Sequence, residues 1–131
     1  MASQASSAKA EPTLAEKVRF LSTPGSYPHA PDGVDVVETH MSWVFLAGDR
    51  VFKLKKPVRY PFLDLRGLDR RAANVRAETR LNRRLAPEVY LGALALRQTA
   101  EGALTLGGTG RVVDWLVEMR RLPLEETLKA R

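Results

Sequence analysis

The segment from Trp43 to Lys55 constrains the fold of this chain more than any other. Trp43-Val-Phe-Leu-Ala47 is a short apolar run of β-forming residues, and Val51-Phe-Lys-Leu-Lys55 answers it across Gly48-Asp49. A two-residue loop of that type between two such runs predicts an antiparallel hairpin. Val34-Asp-Val-Val-Glu38, reached through the Pro-rich stretch Ser26 to Gly33, predicts a strand before it. Pro57 and Pro61 then end the sheet pattern, because proline has no N–H to give to a ladder.

From Leu68 to Leu85 the period changes to that of a helix. Leu68, Val75, Leu81 and Leu85 gather on one side, most of the arginines lie elsewhere, and Ala86-Pro87 ends the element. Strands are predicted over Tyr90–Arg97 and Val112–Met119. The second follows the turn Gly107-Gly-Thr-Gly110 and stops at Leu122-Pro123. Upstream, Thr13-Leu-Ala-Glu16 has capping-box spacing. Leu14, Val18 and Leu21 continue it as a short amphipathic helix that ends at Thr23-Pro-Gly25. Small polar residues over 1–12 predict a disordered tail, and 124–131 reads as the opening of a further helix. The order of helix, three strands, long helix and two strands gives an α+β fold with a five-stranded antiparallel sheet.

Composition narrows the chemistry. The 131 residues suit one domain or one lobe of a larger one. Absence of cysteine excludes disulfides and thiolate zinc sites. With His29 and His40 as the two histidines, no spacing suggests a metal site. No apolar run approaches the ~20 residues of a membrane span, and the first ten residues have no signal-peptide core, so a cytoplasmic protein without a membrane partner is expected. The net charge of +6 raises affinity for phosphorylated ligands, although a solvated basic surface carries the same charge.

The lysine within the second hairpin strand needs a physical reason. Lys53 lies between Phe52 and Leu54, on the face of Val51 and Lys55. Its ammonium either snorkels to water from an edge strand or meets an anion. Glu78 projects into the stripe of Val75, Leu81 and Leu85; taken alone, it fits a boundary residue reaching solvent equally well. A lysine on a third strand paired with a glutamate on the following helix is how protein-kinase-like lobes hold the α- and β-phosphates of ATP, and both residues stand here in that order. The loop Thr39-His40-Met41-Ser42 would then cover the phosphates with a hydroxyl and amide donors but no glycine; an ordinary turn with His40 exposed fits the same residues. Val117 to Pro123 takes the place of the hinge, where backbone groups around Met119, Arg120 and Leu122 would meet the edge of adenine.

Three strings then carry a resemblance: ETHMSWVFLAGDRVFKLKKPVRYPFLDL, RAETRLNRRLAPEVYLG and VVDWLVEMRRLP. Over about Ser26 to Pro123 the chain resembles the aminoglycoside phosphotransferase-like domain of a group of bacterial proteins, in which a P-loop ATPase domain commonly follows. The resemblance implies a protein-kinase-like N-lobe with one αC-type helix on the sheet, over residues 13–123. It places the nucleotide lysine on Lys53, with Lys55 competing. Lys53 is preferred because Val51, two residues earlier on the same face, suits the adenine contact. It places the helix glutamate on Glu78 and the phosphate loop on His40, Met41 and Ser42. The implied cofactor is ATP with Mg²⁺, whose ligands are not in this chain.

Family members continue into a C-lobe with a His-x-Asp loop and a metal-binding Asp. Neither these nor a GxxxxGK[ST] segment occurs in the sequence. The expected function is therefore nucleotide binding by a catalytically incomplete N-lobe, partnered by a C-lobe and a P-loop domain. The alternative is a basic, non-catalytic module that binds nucleic acid phosphates through Arg70, Arg71, Arg76, Arg80, Arg83 and Arg84, or one that binds a partner C-lobe protein. Aromatics are only 7% and fall mainly on strands, so nucleic acid is not the expected partner.

Overall fold

The computed structural model describes residues 11–121. Helix α1 (Leu14–Leu21) and a 3₁₀ turn (Pro24–Ser26) precede strands β1 (Val34–Glu38), β2 (Ser42–Ala47) and β3 (Arg50–Lys55). A small hairpin, β4 (Arg59–Tyr60) and β5 (Leu63–Asp64), leads to helix α2 (Leu68–Leu85). Strands β6 (Tyr90–Gln98), β7 (Leu104–Leu106) and β8 (Arg111–Arg120) follow. The fold is α+β, with an antiparallel six-stranded sheet in the order β1-β2-β3-β8-β6-β7.

The sheet thus has one strand more than the sequence predicts. The addition is β7, which pairs with Leu96–Gln98 of β6. Three residues are too few to display alternation, and flanking glycines disguise them as loop. Pro61 does not end pairing either: it sits in the two-residue loop of the β4–β5 hairpin. The hairpin predicted at Gly48-Asp49 joins Ala47 to Arg50, and Gly48 has the positive φ, +66°, that a tight turn of the II′ kind needs at its first loop position.

α1 forms as its capping box dictates. The Glu16 amide donates to Thr13 Oγ1 at 3.1 Å, and the Thr13 amide donates to Glu16 Oε1 at 2.6 Å. Its Leu21 joins Tyr27, Phe45, Phe52, Leu54 and Leu116 in the core on one face of the sheet. Each such large side chain contributes about 1.5–3 kcal/mol when fully buried. The tail predicted over 1–12 overlaps two described residues, of which Pro12 is buried and Glu11 pairs with Arg111 at 3.0 Å. The further helix predicted over 124–131 lies outside the described residues.

α2 covers the other face, above β6 and β8. Its bounds are those the periodicity predicts, but its inward stripe is not. Arg71, Ala72, Val75 and Thr79 are buried, whereas Leu81 and Leu85 are 59% and 76% exposed. At ~100° per residue Leu81 lies roughly 120°, and Leu85 roughly 80°, around the helix from Val75. Choosing the leucines over Arg71 and Thr79 displaced the predicted stripe to one side. Glu78, roughly 60° from Val75, stands at the stripe's edge and half reaches inward.

Candidate functional site

Alternation along β3 turns Phe52 and Leu54 into the core and Val51, Lys53 and Lys55 toward α2. Lys53 Nζ donates to Glu78 Oε2 at 2.9 Å, and Lys55 Nζ donates to Glu78 Oε1. The predicted pair is a trio, in which the two lysines take separate oxygens of one carboxylate. Lys55 is the more enclosed, with its side chain 11% exposed against 25% for Lys53. Burial alone would raise the Glu78 pKa. The hydrogen bonds from Lys55 and Lys53, with their charges, outweigh it and hold the carboxyl below its ordinary value. Two ammoniums against one carboxylate leave the trio with one positive charge in a partly dry place, which is an electrostatic opening for an anion.

Ser42 pairs with Lys55 and Val44 with Lys53, so the β1–β2 turn stands at the Lys55 end of the ladder. Ser42 is not an exposed member of that turn: it is the first residue of β2, buried, with its amide donating to Thr39 Oγ1 at 3.0 Å. The Met41 carbonyl accepts from the Lys56 amide at 2.8 Å. His40 is exposed and stacks on Tyr60, with ring centroids 5.4 Å apart.

Val51 lies opposite Leu46 on one side and Met119 on the other, so these partly exposed side chains form an apolar floor beside Lys53. Arg120 belongs to β8 rather than to a free connection. Its amide donates to the Val89 carbonyl at 2.7 Å and its Nε to the Glu88 carbonyl at 3.1 Å, so that amide is committed within the fold. Leu122 lies outside the described residues. A cleft of about 350 Å³ opens on the opposite face of the sheet between His29, Arg50, Phe52 and Glu118, and shares no residue with the trio.

A second charged cluster, for which the sequence gives little warning, fixes the elements around the trio. Asp114 is 1% exposed and accepts from Lys17 Nζ at 3.0 Å and from Arg71 Nε at 3.1 Å. Arg71 Nη1 also donates to the carbonyls of Leu65 and Arg66, and Lys17 Nζ to that of Val113. The β3–β8 ladder ends at Leu54 opposite Leu116, so beyond it Asp114 is open to both helices. The one signal in the sequence is an acid inside the apolar run Val112-Val-Asp-Trp-Leu-Val117. Among the described residues no group of three or more His, Asp or Glu side chains is arranged to hold a metal ion, and no helix is long and apolar enough to cross a membrane.

The chain is 46% identical over 69 residues to the uncharacterized protein Rv2004c of Mycobacterium tuberculosis (strain H37Rv) and, to the same extent, to the uncharacterized protein Mb2027c of Mycobacterium bovis. The matched segment is 53% of this chain and 14% of either relative, so the chain aligns with a small part of a longer protein. No family model matches the chain, and no solved structure does.

Proposed function

We propose that this chain is the nucleotide-binding N-lobe of a kinase-like phosphotransferase of the aminoglycoside phosphotransferase-like kind. The observation that carries the reading is Lys53 on β3, hydrogen-bonded at 2.9 Å to Glu78 on α2. The resemblance of the sequence around both residues supports it, and so does the order of strand, helix and strand in which they occur.

The trio divides the labour between its lysines. Lys55, the more enclosed, anchors the Glu78 carboxylate, so Lys53 can turn to a phosphate without stranding that charge. Val51, Leu46 and Met119 offer an apolar surface for adenine, and the turn at His40 and Met41 adjoins the Lys55 end of the ladder. ATP, when bound, would supply the transferable phosphoryl group. The transfer step needs an acid to position the acceptor and ligands for Mg²⁺, which we assign to the remainder of a longer protein. The match to a small part of the mycobacterial proteins supports that assignment.

Titrating ATP·Mg²⁺ into the parent chain, Lys53→Ala and Lys55→Ala tests the proposal. The parent is expected to bind, and Lys53→Ala to lose about ten-fold or more in affinity, the size of a lost charge-assisted hydrogen bond. Equal affinity of parent and Lys53→Ala removes Lys53 from the site, and no binding by the parent removes the function.

A further inference from the structure

We propose a second ligand site, independent of Lys53, in which Phe62 stacks on an unpaired nucleobase and arginines of α2 hold the attached phosphates. Phe62 is the most exposed large apolar side chain among the described residues, at 82%. It ends a ladder of nearly parallel rings: Tyr60 and Phe62 lie 5.9 Å apart at 14°, and Tyr60 and His40 lie 5.4 Å apart at 24°. The contact with Tyr60 aligns the Phe62 ring with the ladder, and its exposure leaves a face open on which a planar partner can stack.

A shallow groove of about 420 Å³ runs from Phe62 between the β4–β5 hairpin and the first turns of α2. Phe62, Leu63 and Asp64 line one side, and Arg70, Ala73 and Asn74 the other. A carboxamide beside an exposed ring is the pairing that reads the edge of a base while its face is stacked. Asp64 does not close the groove to anions. Arg66 forks onto it at 2.9 and 3.0 Å and Arg70 approaches to 3.9 Å, so two guanidiniums surround one carboxylate. Farther along α2, Arg80 and Arg84 are exposed seven and eleven residues beyond Ala73, on the same side of the helix, and extend the positive charge away from the ring.

These surroundings favour a nucleotide over an apolar protein partner. A docking surface for protein gathers apolar side chains around its anchor. Here the anchor shares its groove with Arg70, Arg66 pairs with Asp64 on the groove's wall, and the exposed Leu81 and Leu85 lie two turns or more along the helix. The scarcity of aromatics in the sequence weighs against nucleic acid, but placement outweighs number: the most exposed ring, Phe62, lines the same groove as Arg70.

The test is the anisotropy of a labelled oligothymidylate of about eight nucleotides, a length within the usual site size. It is titrated at low salt with the parent chain, Phe62→Ala, Phe62→Trp and the double variant Arg80→Gln/Arg84→Gln, each also carrying Lys53→Ala so that any contribution of the first site is weakened equally in all. Phe62→Ala is expected to weaken binding about ten- to hundred-fold, and Phe62→Trp to retain it. The arginine variant is expected to flatten the salt dependence by about 0.7 in log–log slope for each phosphate that it leaves unneutralised. Displacement of the oligomer by AMP identifies a mononucleotide site, and displacement by longer strands alone identifies a strand site. Equal binding by Phe62→Ala and parent, or no binding by the parent at low salt, overturns the proposal. Neither result bears on ATP binding at Lys53.

Discussion

Arg71 Nε meets Asp114 Oδ1 at 3.1 Å in a place where both side chains are more than nine-tenths removed from water. With Lys17 on the other carboxylate oxygen, Asp114 joins α1, α2 and the loop at Leu65–Arg66 through one acid. Asp114→Asn keeps the volume and removes the charge, leaving two enclosed cations without a counter-ion. A loss of about 3–5 kcal/mol is expected, read as a lowered midpoint in urea unfolding. Replacing all three partners by apolar residues of similar size is expected to cost much less, since the desolvation of the charges disappears with them.

The trio on β3 gives a pH signature. The folded Glu78 pKa lies below its ordinary value of 4.5, so the folded protein holds the carboxylate ionised where the unfolded chain takes up a proton. Its contribution is fully present above that ordinary value and is lost as pH falls through the lower folded value. Glu78→Gln is expected to cost roughly 1–3 kcal/mol near neutral pH. The gap between parent and variant should close as acid is added, measured as urea midpoints across the acid range. A gap that stays constant with pH would show that the two lysines do not act on the ionised form.

The two sides of α2 should respond differently to truncation. Val75 is fully buried, so Val75→Ala is expected to cost about 1–3 kcal/mol. Leu81→Ala and Leu85→Ala should stay within about 0.5 kcal/mol, because those side chains remain in solvent. Thermal unfolding of the three variants side by side tests the orientation of the helix.

The turn before β8 admits a sharper contrast. Gly110 has φ +114°, and a Cβ there would lie 2.5 Å from the Gln98 carbonyl oxygen. Gly108 has φ +73° with open space around it. Gly110→Ala is expected to cost roughly 2–5 kcal/mol from backbone strain plus displacement of β6. Gly108→Ala should cost about 1–2 kcal/mol from the left-handed backbone alone. Denaturant midpoints of the pair give the comparison.

Much of this fold is legible in the sequence where local patterns and tertiary packing agree. The hairpin at Gly48-Asp49, the strand Val34–Glu38, the capped α1 and the bounds of α2 follow from turn chemistry, alternation and proline. The Lys53–Glu78 contact is legible too, because a lysine on a strand and a glutamate on the following helix stand in an order in which each can meet the other's charge. Lys55 escapes as an equal partner because a carboxylate has two oxygens and spacing cannot tell which cations use them. The clasp at Asp114 escapes for a related reason. Arg71 and Lys17 look like solvated surface residues until the end of the β3–β8 ladder opens a place for them, and that end is a property of strand register. The inward face of α2 is misjudged where leucine content disagrees with packing.

The placement of β8 carries a further consequence for how the chain reaches this state. It is the last of the described strands to be synthesised, yet it lies between β3 and β6 and ladders with both. Until it emerges, β1–β3 and β6–β7 are two separate antiparallel pieces, each exposing an edge that only β8 can fill. It also brings Asp114, to which both helices bind. A nascent chain halted before residue 111 therefore holds two unfinished fragments with open edges. Completion is a single late event that zips both halves and locks both helices, and the interval before it is when the chain is most exposed to wrong pairing.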